Sequence, residues 1–251
     1  MRRIAAPHDV GAVCHPAMYS GLYKYSYHST TVNQLPSKWA VTKWVEHYRG
    51  QGFSRAFIYI FHEADAYKDI PGVTWFVIPW AKTYGIYNGG QVWAMHHCLF
   101  VNKLLGTEWT LFADMDEFII GGESQSVFLA QLSQGPWRDN FAFTFAPIDV
   151  DIDKQQVVSG AVSLLSQIEV IGTVSRKLKL GSIGHRKCMV RTRAACYLKG
   201  IHSTVGYQPK NWERSDDPCR AGFSQITNFR QDAYFIAHLR GIGNLKPSTK
   251  S

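Results

Sequence analysis

A doubly wound α/β domain with a mostly parallel central sheet is the fold class that the sequence predicts, on three observations. The 251 residues suit one large core, because single cores stop growing at about 250–300 residues. Short apolar runs alternate with helical patterns along the body of the chain. The run Arg55-Ala-Phe-Ile-Tyr-Ile-Phe61 is apolar at nearly every position, as expected of a strand covered on both faces. A composition of 45% hydrophobic, 14% aromatic and 18% charged residues excludes a disordered chain, and the absence of a glycine period excludes a collagen-like one.

The elements come in order. Asp9-Val-Gly-Ala-Val-Cys14 reads as a buried strand, and a turn-rich segment runs from it to Pro36. A helix starts at Ser37, a good N-cap, with Ala40, Val41, Trp44, Val45 and Tyr48 on one face and Gly52 as its stop. Arg55–Phe61 and Val73–Ile78 are strands, the second stopped by Pro79. Gly90–Leu105 is a helix stopped at Gly106, in which Trp93 and Met95 read as core. Trp109-Thr-Leu-Phe-Ala113 is a buried strand that ends abruptly in Asp114-Met-Asp-Glu117. Ser126–Leu132 is predicted helical, and Asn140–Phe145 and Ala233–Ala237 are predicted strands. Ligands of such a sheet bind at the carboxyl ends of its strands, where the acidic cluster falls.

Charge is uneven. The net charge is +8, but residues 172–251 carry 15 Lys/Arg against 4 Asp/Glu, whereas residues 1–171 carry 12 against 15. The carboxyl-terminal third therefore suits a phosphate-bearing ligand, a polyanion or an acidic surface, with a solvated basic face as the plain alternative. No nucleic-acid motif accompanies the charge, so no nucleic-acid partner is expected. No apolar run approaches the ~20 residues of a bilayer crossing, so the chain itself is expected to be soluble. Cys14, Cys98, Cys188, Cys196 and Cys219 form no C-x-x-C pair. No disulfide framework is indicated, and bridges among the last three or buried thiols are the open alternatives.

Three acidic residues where burial ends require a cation or hydrogen-bond donors. Asp114 and Asp116 can supply hard oxygen ligands to Mg²⁺ or Mn²⁺ while a diphosphate supplies others; the alternative is a capping turn. Lys187 and Arg191, four apart beside Arg186 and Arg193, can aim two cations at a diphosphate leaving group, with a solvated basic turn as the alternative. The loops after the first strands offer His62 and Asp65 to a ribose or base, and Gln91 faces the same cleft. Trp75, Trp80, Trp137 and Trp212 can stack on sugar rings, although an isolated Trp is more often core.

The wider pattern resembles a GT-A nucleotide-sugar glycosyltransferase, and more narrowly glycosyltransferase family 92, the group that contains the plant β-1,4-galactan synthases. Seven blocks carry the resemblance: Trp44-Val-Glu-His-Tyr48, Phe61-His-Glu-Ala64, Asn88-Gly-Gly-Gln91 through Cys98-Leu-Phe100, Glu108 through Ile119, Arg186-Lys-Cys-Met-Val-Arg191, Gly200-Ile-His202 and Phe235 through Gly241. The stretch Asp149-Val-Asp-Ile-Asp153 and the segment after it depart from the family's pattern on the acceptor side.

The resemblance implies a Rossmann-like GT-A domain over residues 1–251, with a nucleotide-sugar half at about 9–120, an acceptor and basic half at about 121–246, and a tail at 247–251. It implies a metal-dependent inverting transferase that moves galactose from UDP-galactose, or a related UDP-sugar, to a glycan acceptor. Asp114, Asp116 and His238 are the implied Mn²⁺ or Mg²⁺ ligands, with His202 as the alternative to His238 and Lys246 as a nearby phosphate contact. Asp151 and Glu169 are candidate bases for the acceptor hydroxyl. The family's membrane anchor and stem are missing from this chain, and by resemblance the location is the Golgi lumen as a type II membrane protein. The competing expectation is a catalytically silent carbohydrate- or polyanion-binding module.

Overall fold

The apolar runs of the amino-terminal half become neighbouring strands of a seven-stranded sheet in the computed structural model, which describes residues 11–18, 37–60, 65–78, 91–121, 129, 132, 140–145, 147–150, 187–195, 225–228 and 234–239. Strands β1 (Gly11–Met18), β2 (Arg55–Ile60), β3 (Val73–Val77) and β4 (Trp109–Phe112) lie in the order β3-β2-β1-β4, each parallel to its neighbour. The sheet continues through β8 (Lys187–Arg191), β6 (Asn140–Phe145) and β9 (Gln225–Asn228). β8 is antiparallel to both β4 and β6, while β6 and β9 are parallel. Among the described strands of this sheet, β8 alone runs against the rest. The mostly parallel sheet is as predicted, with one reversed strand over a segment whose sequence suits either a strand or a turn.

A second sheet of three strands has the order β5-β10-β7, from β5 (Glu117–Gly121), β7 (Pro147–Val150) and β10 (Tyr234–Leu239). β10 is antiparallel to β5 and parallel to β7. Neither β5 nor β7 is predicted from the sequence. The acidic turn joins the two sheets, because β4 ends at Phe112 and β5 begins at Glu117.

Alternation along each strand divides the core between two faces. Val13, Ala56, Ile58, Ile60, Leu111 and Met189 pack with helix α1 (Lys38–Gly50) on one side. Ala12, Cys14, Phe57, Tyr59, Phe112 and Val190 pack with helix α2 (Gln91–Leu104) on the other. Ser37 caps α1 as expected, its Oγ accepting from Ala40 N at 3.2 Å. Gly52 and Gly106, read as stops, have φ of 92° and 71°, a left-handed backbone that disfavours a side chain. Of the helix expected over Ser126–Leu132, Leu129 and Leu132 are described, helical and buried. Met95 is core as predicted, but Trp93 is 41% exposed and lies stacked on His97. Among the described residues no helix is long and apolar enough to cross a membrane.

The cysteine expectation is corrected. Cys14 of β1 and Cys98 of α2 form a buried disulfide across 84 residues, with Asn102 Nδ2 against both sulfurs. Spacing holds no sign of it, since the helix packs its middle turn onto the sheet only in the folded chain. Cys188 is a buried free thiol, and burial pushes it up to about 12, so it stays protonated.

Helix α1 does more than fill space. Its buried His47 donates Nε2–H to the Ile119 carbonyl at 2.9 Å, which leaves Nδ1 as a bare acceptor with no partner among the described residues. Burial lowers the His47 pKa from 6.5 to about 4, with the bond to Ile119 opposing the fall.

Two outcomes are expected for stability. Closing an 84-residue loop restricts the unfolded chain, so Cys14→Ala/Cys98→Ala should lose about 4 kcal/mol in guanidinium unfolding. An unchanged midpoint in reductant would deny the bridge that role. His47 has a depressed folded pKa, so the unfolded chain takes up its proton first as pH falls from 6.5 towards 4, and stability present above 6.5 is lost across that window. The loss should total about 3 kcal/mol and vanish in His47→Asn, as read from unfolding free energies at stepped pH.

Candidate active site

Five buried residues in a row, Trp109 to Ala113, carry the chain to Asp114, where exposure begins. The chain then turns: Glu117 N donates to Asp114 O at 3.1 Å, and Asp114 N donates to Glu117 Oε2 at 2.8 Å. The alternative reading of Asp-x-Asp expects a turn in which an aspartate side chain bonds backbone amides before a helix; here the accepting side chain is that of Glu117, and a strand comes next. Asp114 and Asp116 are partly exposed at the carboxyl end of β4.

Helix α1 holds the same turn from beneath. Trp44 Nε1 donates to Asp114 O at 2.9 Å and Tyr48 Oη donates to Glu117 O at 3.0 Å. With His47 on Ile119, the block Trp44-Val-Glu-His-Tyr48 supplies three donors to the carbonyls of one short segment. These carbonyls have left the large sheet's ladder and need partners in a dry interior.

Lys187 completes the cluster. Antiparallel pairing places Cys188 beside Phe112, so the first residue of β8 arrives next to the acidic turn. The Lys187 side chain is 4% exposed, and its Nζ bonds Asp114 Oδ2 and lies 3.2 Å from Glu117 Oε1. Burial works to lower the Lys187 pKa, but Asp114 and Glu117 outweigh it and hold the ammonium above the ordinary lysine range. Burial pushes the Glu117 carboxyl above the ordinary carboxylate range; Lys187 opposes the rise, and Asp114 and Asp116 add to it. An ion pair at this depth is costly to assemble and costlier to break, because removing one partner strands the other.

Lys187 and Arg191, expected to aim at one diphosphate, lie far apart on β8. The two occupy opposite ends of β8, roughly 13 Å apart at about 3.3 Å per residue. Arg191 pairs with Trp109 at the amino end of β4, away from Asp114. Its guanidinium lies 4.2 Å over the Trp109 ring, with Nη1 2.5 Å from Glu108 Oε1 and Nε donating to Asn140 O at 3.2 Å. It ties β4, β8 and β6 together. Lys187 is inside the protein with its ammonium turned to Asp114 and Glu117.

Asp65 opens a single 3₁₀ turn after β2, exposed and paired with Lys68, at the same sheet edge as Asp114 because β2 and β4 run in one direction. Gln91 is the first residue of α2, which comes after β3. Trp75 stacks on Tyr67, with ring centroids 5.4 Å apart, and packs against the core. His238 lies on β10 at the register position opposite Glu117 on one side and Asp149 on the other. Among the described residues no group of three His, Cys, Asp or Glu gathers to hold a metal ion. His62, Asp151, Glu169, His202, Lys246, Trp80, Trp137 and Trp212 lie outside the described residues. Sequence reasoning missed Glu117 as the partner of Lys187, and the α1 donors; the Trp-Val-Glu-His-Tyr block was the one available signal.

Residues 73–234 match glycosyltransferase family 92. No curated protein sequence matches the chain. Among solved structures, 4-diphosphocytidyl-2C-methyl-D-erythritol synthase from Anaerococcus prevotii is similar over 72% of this chain and 69% of its own, at 11% identity and a TM-score of 0.34. The mannosyltransferase Ktr4p from S. cerevisiae is similar over 70% of this chain and 48% of its own, at 8% identity and a TM-score of 0.29. The family match spans well over half of the sequence and takes in β4, the acidic turn and β8, and on that ground the chain belongs to glycosyltransferase family 92 and is a glycosyltransferase.

Proposed function

We propose that the chain is a metal-dependent, inverting glycosyltransferase of GT-A type, with UDP-galactose as donor and a glycan as acceptor. The observation that carries it is the pair of partly exposed aspartates, Asp114 and Asp116, at the carboxyl end of a buried strand in a mostly parallel sheet. Carboxylate oxygens of this kind fit Mn²⁺ or Mg²⁺, which take hard oxygen ligands and keep several waters. Asp114, Asp116 and His238 would hold the ion, and the register of β10 against β5 supports the inclusion of His238. His202 is the alternative third ligand. Bound there, the ion would offset negative charge on the departing diphosphate.

The chain's own residues divide the remaining work. Asp65 and Gln91, with His62, bind the nucleoside, and Lys246 contacts phosphate. Asp151 or Glu169 takes the proton of the acceptor hydroxyl as its oxygen bonds to the anomeric carbon from the face opposite the diphosphate. The bond from that carbon to the diphosphate oxygen breaks as the new one forms. The buried Cys14–Cys98 bridge supports maturation in an oxidising compartment, in keeping with a Golgi lumen enzyme. The second reading, a catalytically silent carbohydrate-binding module, draws support from the ammonium already seated on Asp114.

Turnover of a panel of UDP-sugars by the purified chain separates the two, and no hydrolysis or transfer with any donor would favour the silent module. EDTA should abolish transfer and Mn²⁺ restore it, and full activity in EDTA would sink the metal role. Asp116→Ala should be at least as damaging as Asp114→Ala. For the histidines, His238→Ala should raise the Mn²⁺ needed for UDP binding without acceptor, whereas His202→Ala should raise the acceptor KM or lower kcat. A shifted Mn²⁺ requirement in His202→Ala alone would exchange the two assignments.

A further inference from the structure

We infer that Lys187 is a positioning residue for the acidic turn: its buried ammonium bridges the Asp114 and Glu117 side chains and so sets the Asp114 carboxylate in place before any ligand arrives. The inference rests on the metal-dependent reading above and gives Lys187 a different task from the diphosphate contact that its charge suggests.

The geometry argues for it in three ways. First, the ammonium is inside, its side chain 4% exposed, and it faces the Glu117 side chain, which is 5% exposed, and the Asp114 side chain, which is 34% exposed. Asp114 thus stands between a buried anchor and the open edge of the sheet, with one oxygen, Oδ2, on Lys187. Second, the backbone of the turn is already held elsewhere: Trp44 and Tyr48 fix the carbonyls of Asp114 and Glu117, and Glu117 Oε2 accepts from Asp114 N. Lys187 acts on the carboxyl groups themselves: its ammonium bonds Asp114 Oδ2 and lies beside Glu117 Oε1, the oxygen that the bond from Asp114 N does not use. Third, Asp114, Asp116 and Glu117 crowd three acidic groups into four residues, and a fixed cation between two of them relieves their repulsion while the rotamers stay put. A ligand held by a second group in this manner keeps its orientation, and loss of such outer partners typically lowers metal affinity about 10–100-fold.

Lysine, and no shorter or neutral residue, meets the requirement at this point. β8 enters beside β4 from the opposite direction, so a long side chain on its first residue reaches along the sheet to the turn past Ala113. A methionine there would keep the bulk and lose the charge; an arginine would keep the charge with a wider head.

The test measures Mn²⁺ bound by the full chain, by electron paramagnetic resonance of free Mn²⁺, without donor or acceptor, and UDP affinity in parallel. Lys187→Met should weaken Mn²⁺ binding on the order of tenfold, and Lys187→Arg should recover most of it. UDP affinity measured at saturating Mn²⁺ should change less than threefold (~0.6 kcal/mol) in both. Should Lys187→Met fail to accumulate folded, Glu117→Gln/Lys187→Met removes the buried pair together and should show the same Mn²⁺ loss. Mn²⁺ binding left unchanged by the methionine variant, with UDP weakened at saturating Mn²⁺, would overturn the inference and return Lys187 to the diphosphate. A wild-type chain that takes up no Mn²⁺, with or without UDP, would sink the metal reading itself, and this inference with it.

Discussion

The Lys187 ammonium sits beneath the turn that joins the two sheets, and the structure around it reflects the cost of burying a charge. An ammonium removed from water needs anionic partners within reach, and Asp114 and Glu117 are those partners. They can be reached only because β8 runs against its neighbours and brings its first residue, not its last, to the carboxyl edge of β4. The single reversed strand among the described strands of the large sheet is therefore tied to the site's chemistry as well as to its topology. Arg191 answers the same physical demand at the other end of β8, where Glu108, the Asn140 carbonyl and the Trp109 ring surround a second buried cation.

Helix α1 links the core to this edge. Trp44 and Tyr48 bury their rings as any amphipathic helix would, yet each also carries a polar tip that ends on a carbonyl of the acidic segment. Packing and polar satisfaction thus use the same side chains, so a change in how α1 sits on the sheet would be felt at Asp114. The geometry gives a physical reason why Trp44-Val-Glu-His-Tyr48 stands out as a unit in a chain rich in aromatic residues.

Periodic elements were legible in the sequence and long-range pairings were not. Helix α1 and helix α2 could be read with their caps because amphipathic spacing and glycine stops are local properties. Strands β2 and β4 could be read because burial on both faces makes them continuously apolar or nearly so, whereas β3, a half-exposed edge strand, could be read from its β-branched and aromatic run. β5 and β7 are short and belong to a small second sheet assembled by β10 from about 90 to 120 residues further on, which no window of sequence displays. β8 begins and ends in a charge, and charged ends normally announce solvent. Here each cation is itself buried and has an acidic partner 70 to 83 positions earlier, so the same letters that suggest a basic surface turn describe an interior strand. The aspartates were found because they interrupt an apolar run; the lysine's role was hidden because its partners lie far off in sequence.

Among the described residues, Cys14 and Cys188 lie in a row across the sheet, with consequences for how they can oxidise. Cys14 is in register with Phe112 on the neighbouring strand, and Phe112 is in register with Cys188 on the next, so both sulfur-bearing residues lie on one line across the sheet. Two strand spacings separate the Cα atoms of Cys14 and Cys188 by roughly 9.6 Å, beyond the ~7 Å that a disulfide can span, with the phenyl ring of Phe112 between them. Cys98 approaches from the helix above and reaches Cys14 directly. Once β4 has taken its place, the sheet itself selects which thiols can meet, and a bridge wrongly made between Cys14 and Cys188 would hold β4 out of the sheet and, with it, keep Asp114 from ever reaching its edge.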